Sequence, residues 1–312
     1  MAAEPPPMCP PKNHWAICPP VPPPILNRLF NRLLPAPILS DAAAARLIAD
    51  SISAARPFLA SRIGWVEASA IYQGWLRRRP SPELRRKLWK HAGVFPDTLE
   101  AFQKFCEIYF AATRSIDLLG IMDGEPFQKK ILRASGARPA LCRLSALEPY
   151  LLAEPWSASL ANKRVTVVHP FDTSIKKQFA RRVEIFRDPR VLPPFELRII
   201  RPPVSLAFGH GPPGLGNWAD ALDHLTERVL SEPFDVAILG CGAYGLPLGQ
   251  RIRSAGFPAI HIGGATQILF GIWGARWRGN PQFQALATPA WTSPDPSEKP
   301  PGADAIEGGC YW

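Results

Sequence analysis

From Arg164 onward the chain alternates short apolar runs with amphipathic helical segments, and this alternation constrains the fold of its 312 residues more than any other feature. "RVTVVH", "FELRIIR", "FDVAILG" and "PAIHIGG" read as strands, while "DTSIKKQFARRVEIF", "NWADALDHLTERVL" and "ATQILFGIWGARW" read as helices, with a further helix after "FDVAILG". A run such as "VAILG" has no polar face, so both faces of its sheet must be covered. Strands that alternate with helices pair in parallel through right-handed crossovers. The expected fold is α/β, a mainly parallel, Rossmann-like sheet with helices on both faces.

The earlier half fits the same scheme. "SDAAAARLIADSISAA" reads as a helix capped by Ser40, "RPFLASRIG" as a strand, and "WVEASAIYQGWLRRR" and "PELRRKLWKHAG" as helices. "PDTLEAFQKFCEIYFAATRS" reads as a third helix, capped by Asp97, followed by strands "IDLLGIM" and "ALCRLSAL" and a short helix over 155–161. Many of the 37 prolines sit at the two ends. Three regions follow: a proline-rich segment with a basic amphipathic helix (1–39), an α/β domain (40–278) and an extended C-terminal tail (279–312). Residues 1–24 are expected to be loose, because such a segment cannot offset its ordering entropy by burial.

The 36 basic and 26 acidic residues give a net charge of +10, which favours phosphates, nucleic acid or anionic membrane. The densest basic run, "WLRRRPSPELRRKLWKH", lacks the interleaved glycines and aromatics of an RNA-binding sheet, and no zinc finger or basic zipper is present. It reads as a solvated helical face, and no nucleic-acid partner is expected. The six cysteines show no Cys-x-x-Cys, as in a cytoplasmic protein with reduced thiols. No signal peptide or membrane-spanning stretch is evident. "ILNRLFNRLLPAPIL" sets leucines opposite Arg28 and Arg32, a pattern able either to pack on the core or to lie peripherally on an anionic membrane.

Ligands of such sheets bind beyond the carboxyl ends of the strands. The residues there include Arg62, Gly64 and Glu67; Asp123 and Glu125; His169; Gly240, Gly242, Tyr244 and Gly245; and His261, Gly263, Gly264 and Gln267. Arg62 could meet a phosphate, and the loops at His169 and Gly240 could present N–H groups. Each has an ordinary structural use as well: an Arg62–Glu67 surface pair, capped loop histidines, a Tyr244 that packs over its turn, a tight turn at Gly263–Gly264, a capping Gln267. Gly240-x-Gly242-x-x-Gly245 has the form of a dinucleotide turn. The following strand, however, ends in "HIGGATQ", without the acid that binds the ribose, so no NAD is expected.

"SRIGWVE", "VTVVHPFDTSIKKQF", "LPPFELRIIRPP", "DVAILGCGAYGLPLGQRIRSAGFPAIHIGGATQILFGIWGARW" and the final "EGGCYW" together resemble the GT-D-type (GT-D-like) bacterial glycosyltransferases, formerly a domain of unknown function. The resemblance implies a GT-D-type fold and a glycosyltransferase that moves a sugar from a nucleotide-sugar diphosphate to a glycan or glycoconjugate acceptor. It also implies donor binding by Arg62, Gly64, His169, the glycine turns, Tyr244, His261 and Gln267. In the family an Asp-x-Glu helps hold Mn or Mg on the diphosphate; here the triplet is Trp65-Val66-Glu67, so only Glu67 carries over as metal ligand or catalytic base, with Asp123 and Glu125 as substitutes. The other readings are a non-catalytic sugar-nucleotide-binding or scaffold relative, favoured by Trp65, and an NAD(P)-dependent oxidoreductase.

Overall fold

A computed structural model describes residues 36–205 and 213–312. The proline-rich start and most of the basic amphipathic segment lie outside the described residues. Seven strands form one all-parallel sheet: β1 Phe58–Ser61, β2 Leu118–Ile121, β3 Ala140–Arg143, β4 Arg164–Val168, β5 Glu196–Ile200, β6 Val236–Leu239 and β7 Pro258–His261, in the order β3-β2-β1-β7-β6-β4-β5. The protein is therefore α/β with a Rossmann-like parallel sheet. The four strands β1, β2, β6 and β7 are buried along their whole length, as their unbroken apolar composition requires.

One face is covered by helices α2 Trp65–Ser69, α3 Pro82–Ala92, α4 Leu99–Ala112, α5 Gln128–Ser135, α7 Trp218–Leu230 and α8 Gly245–Ser254, whose apolar stripes form one core. Its centre is Trp218, edge-on to Phe105 at 5.0 Å and stacked on Tyr244 at 5.3 Å. The other face carries α1 Asp41–Ser53, α6 Asp172–Ala180, the short helices α9 Thr266–Leu269, α10 Ala275–Arg278 and α11 Pro281–Leu286, and irregular turns that bring Trp156, Phe283 and Trp291 into a second core. Residues 279–312 drape over this face. Glu298 anchors them by accepting the free N–H groups of Thr173 and Ser174 at the start of α6, a cap that α6 lacks in its own sequence.

Several local expectations are corrected. Helix α4 is capped by Thr98, whose hydroxyl accepts the Ala101 N–H, while Asp97 pairs with Arg85 at 3.3 Å. The "WVEASAIYQGWL" helix passes at Ala70 into a π-helical stretch that runs to Leu76. "ALCRLSAL" is extended only to Arg143 and then coils as a 3₁₀ turn. The "ATQILFGIWGARW" helix breaks after Leu269 because Gly271 turns left-handed (φ 63°). Helix α5, absent from the sequence reading, is begun by Glu125 and stopped by left-handed Gly136.

Two features of the topology position the site. β4 leads outward to β5, whereas its neighbour β6 leads inward to β7, so the connections diverge between adjacent strands. The register sets Leu239 level with both Val168 and His261, which brings the loops after β4, β6 and β7 to one height. At the opposite end of the sheet, Asp117 takes the Leu59 N–H and both arms of Arg253 (2.7 and 2.9 Å), bracing α8 against β1 and β2. Among the described residues no helix is long and apolar enough to cross a membrane, and the four described cysteines, Cys106, Cys142, Cys241 and Cys310, form no disulfide.

Candidate functional site

The glycine turn after β6 is a packing device. A Cβ on Gly240 would lie 2.5 Å from the His169 ring and 2.8 Å from Thr266, and one on Gly245 would overlap the His261 imidazole. Both rings are buried, so burial holds both pKa values down, to about 3, with the Arg62 charge adding to the effect on His261. His169 Nδ1 accepts the Phe171 N–H (3.0 Å), which fixes its remaining proton on Nε2. His261 Nδ1 meets Ser61 Oγ at 2.9 Å, tying β7 to β1. Tyr244 points away from both, into the Trp218 stack. Of this turn only Gly242 faces solvent.

Toward β1 and β3 the rim is open and charged. Arg62 leaves the end of β1 half-buried; its Nη2 donates to the Met122 sulfur (3.0 Å), and among the described residues no carboxylate lies within ion-pair distance of it. Gly263, left-handed at φ 75°, lets the Arg62 stem pass close by, since a Cβ there would sit 3.1 Å from Arg62 Cδ. Glu67, in the first turn of α2, folds its carboxylate back over Gly64, the residue that precedes the helix. Gln267 is buried and donates to Ile272 O (3.1 Å) and Tyr311 O (3.2 Å), while its Oε1 has no partner. Gly264 is flat against the Tyr311 ring.

Two residues of this rim, Glu148 and Arg276, escaped the sequence reading. Glu148 is half-buried, and its Oε2 lies 2.8 Å from the Tyr150 hydroxyl. Burial raises its pKa, while the Tyr150 hydroxyl and the Arg62 and Arg276 guanidiniums pull the other way. Arg276 lies over the Tyr311 ring (4.8 Å) and donates to its hydroxyl (2.9 Å). A signal existed for Glu148: it directly follows "ALCRLSAL", which makes it a strand-end residue of the kind inspected elsewhere.

Neither substitute carboxylate joins Glu67. Glu125 is fully buried and accepts the N–H groups of Phe127 (2.9 Å) and Gln128 at the start of α5, and burial lifts its pKa to about 7. Asp123 is exposed. Among the described residues no three of His, Cys, Asp and Glu gather as a metal site. Glu67, half-buried just beyond β1, could supply one oxygen ligand to a divalent ion.

No family model, curated protein or solved structure matches the chain. Its chemistry is therefore read from its own side chains. Arg62, Glu67, Glu148, Gly264 and Arg276 are partly exposed at this rim and supply two guanidiniums and two carboxyl groups, while Gly263 and Gln267 are buried beside them. That surface can bind an oxyanion and handle a proton beside it.

Proposed function

We propose that this protein is a glycosyltransferase-like enzyme that binds a nucleotide-sugar diphosphate at the carboxyl end of β1 and transfers the sugar to a glycan or glycoconjugate acceptor. The observation that carries this reading is Arg62, a partly exposed guanidinium with no carboxylate within ion-pair distance among the described residues, at the strand end where α/β sheets bind ligands. A guanidinium fork matches phosphate oxygens and neutralises the charge that develops on a departing diphosphate. Gln267 Oε1 offers a buried acceptor to a donor hydroxyl or N–H. Glu67, half-buried on the same surface, is the group assigned to take the acceptor hydroxyl proton. His169 and His261, both buried and held down to about 3, are weak proton acceptors beside a carboxylate such as Glu67.

Nucleoside diphosphates should raise the melting temperature, as any ligand specific for the folded state must, whereas NAD and NADP should not. Saturable NAD binding without nucleoside diphosphate binding would overturn the reading. Given turnover, Glu67→Gln should lower transfer by at least about 10²-fold while the fold persists. A specific observation favours the alternative of a non-catalytic sugar-nucleotide-binding relative: Trp65 stands where the family that the chain resembles has its aspartate, and among the described residues no three of His, Cys, Asp and Glu gather as a metal site. Donor binding without transfer to any acceptor, unchanged by Glu67→Gln, would select it.

A further inference from the structure

The Tyr150 hydroxyl carries one proton and faces two acceptors, Glu148 Oε2 at 2.8 Å and the Ala265 carbonyl at 3.1 Å. With Glu148 ionised, only one of these contacts can be a hydrogen bond at a time. With Glu148 protonated, its O–H donates to the Tyr150 oxygen and Tyr150 donates to Ala265, so both contacts are satisfied together. Satisfying both contacts at once favours the neutral acid, and burial works in the same direction; a Tyr150 hydrogen bond to the ionised carboxylate and the Arg62 and Arg276 charges oppose them. Those are the charged groups that face Glu148 from the β1 loop and α10; on its own turn it meets Tyr150. Glu148 Oε1 has no hydrogen-bond partner among the described residues, and the side chain is partly exposed.

We propose that Glu148 is the proton-carrying recognition group of this surface: as a neutral acid it donates from Oε1 to a tetrahedral phosphate oxyanion held by Arg62, so that the anion and the proton bind together. Tyr150 then turns its hydroxyl to Oε2, and the proton comes from solvent whenever Glu148 was ionised beforehand. The coupling has a plain electrostatic cause. An anion on Arg62 cancels the positive field that favours the carboxylate and places a negative charge next to it, and both changes favour the protonated form. The proposal rests on the reading above only in placing a phosphate group at Arg62.

Sulfate is a suitable probe, because it has the shape of phosphate but does not itself titrate near neutrality. In the full chain, sulfate affinity should fall about tenfold between about pH 5 and about pH 8. Glu148→Gln, which keeps a neutral donor, should bind sulfate as tightly as wild type at the acid end and lose the pH slope. Arg62→Ala should bind weakly throughout. A Glu148→Gln protein that keeps the wild-type slope, a wild-type protein with no slope, or an absence of sulfate binding at any pH would each overturn the proposal. A Glu148-dependent sulfate slope with no gain from nucleoside diphosphates would sink the donor assignment and leave Glu148 standing. Tight nucleotide binding that is flat in pH for both proteins, once the nucleotide's own titration is subtracted, would do the reverse.

Discussion

The glycine turn after β6 and the rim formed by the loops after β1 and β3 lie at the same end of one sheet and do opposite things. The turn is closed: its glycines make room for two neutral imidazoles that lock β4, β6, β7 and β1 together. The rim is partly open, and among the described residues Arg62 has no carboxylate within ion-pair distance and Gln267 Oε1 has no hydrogen-bond partner. Gly240 and Gly245 of the conspicuous motif thus serve packing, while the open surface is carried by residues dispersed over the loops after β1, β3 and β7. A glycine spacing reports only that something approaches the backbone, and here that something is a histidine ring.

The largest effect should come from the closed side. Gly245→Ala drives a methyl group into the His261 imidazole, which is held from its other side by Ser61 and cannot swing away. Overpacking of this kind costs up to about 3 kcal/mol, and overlap with a buried ring held by Ser61 puts this site at the upper end. In a His261→Ala background the same change should cost less than about 1 kcal/mol, because the two sites share one space. Denaturant unfolding of the four proteins measures the coupling; additive costs would show that the ring does not fill the turn, and the comparison would fail.

On the open side, Arg62→Ala should leave stability almost unchanged and weaken nucleoside diphosphate binding about 30-fold, the ~2 kcal/mol of a charge-assisted contact. Calorimetric titration with a parallel melt checks both. Loss of stability without loss of binding would make Arg62 another packing residue and abolish the distinction between the two regions.

What the sequence disclosed follows the same division. Strands such as "VAILG" and "PAIH" were legible because burial on both faces demands continuous apolar residues, and the sheet contains them where expected. Helix α5 was not, because its eight residues lack a capping side chain at their own start; the cap comes from Glu125, three residues before the helix begins. The break of "ATQILFGIWGARW" at Gly271 is a tertiary effect, since a Cβ there would strike Ile185 from a distant turn. For the site, strand-end position found Arg62 and Glu67. It missed Glu148 because the last turn of "ALCRLSAL" is coiled rather than extended, and Arg276 because it reaches the rim from a helix fragment created by the Gly271 break.

Two carboxyl groups near the rim sharpen the comparison at smaller scale. Glu125 is fully buried as a helix cap, whereas Glu148 is reachable. The folded-state pKa of Glu125, about 7, lies above its ordinary value, so the native state holds a proton that the unfolded chain has released. Its contribution is therefore fully present below about pH 4.5 and is lost as pH rises through about pH 7. The loss should be on the order of 3 kcal/mol, and Glu125→Gln should remove that part of the pH dependence of stability. Unfolding free energies across this range test it; a slope that survives in Glu125→Gln would mean that the cap is ionised throughout.

The smallest effect belongs to Gly242, the other glycine of the turn, and it separates two reasons for glycine within one motif. Gly242 is left-handed (φ 57°), yet a Cβ on it would meet nothing within 4 Å. Its requirement is conformational, whereas that of Gly245 is steric. Gly242→Ala should therefore cost about 1 kcal/mol, the usual penalty of a left-handed alanine, and Gly242→Asn less, because asparagine tolerates that region. Removing His261 should not relieve either cost, in contrast to Gly245→Ala. If Gly242→Ala instead abolished nucleoside diphosphate binding while its stability cost stayed near 1 kcal/mol, the exposed N-terminal half of the turn would belong to the ligand surface, and the boundary between the closed and open regions would have to move to Gly245.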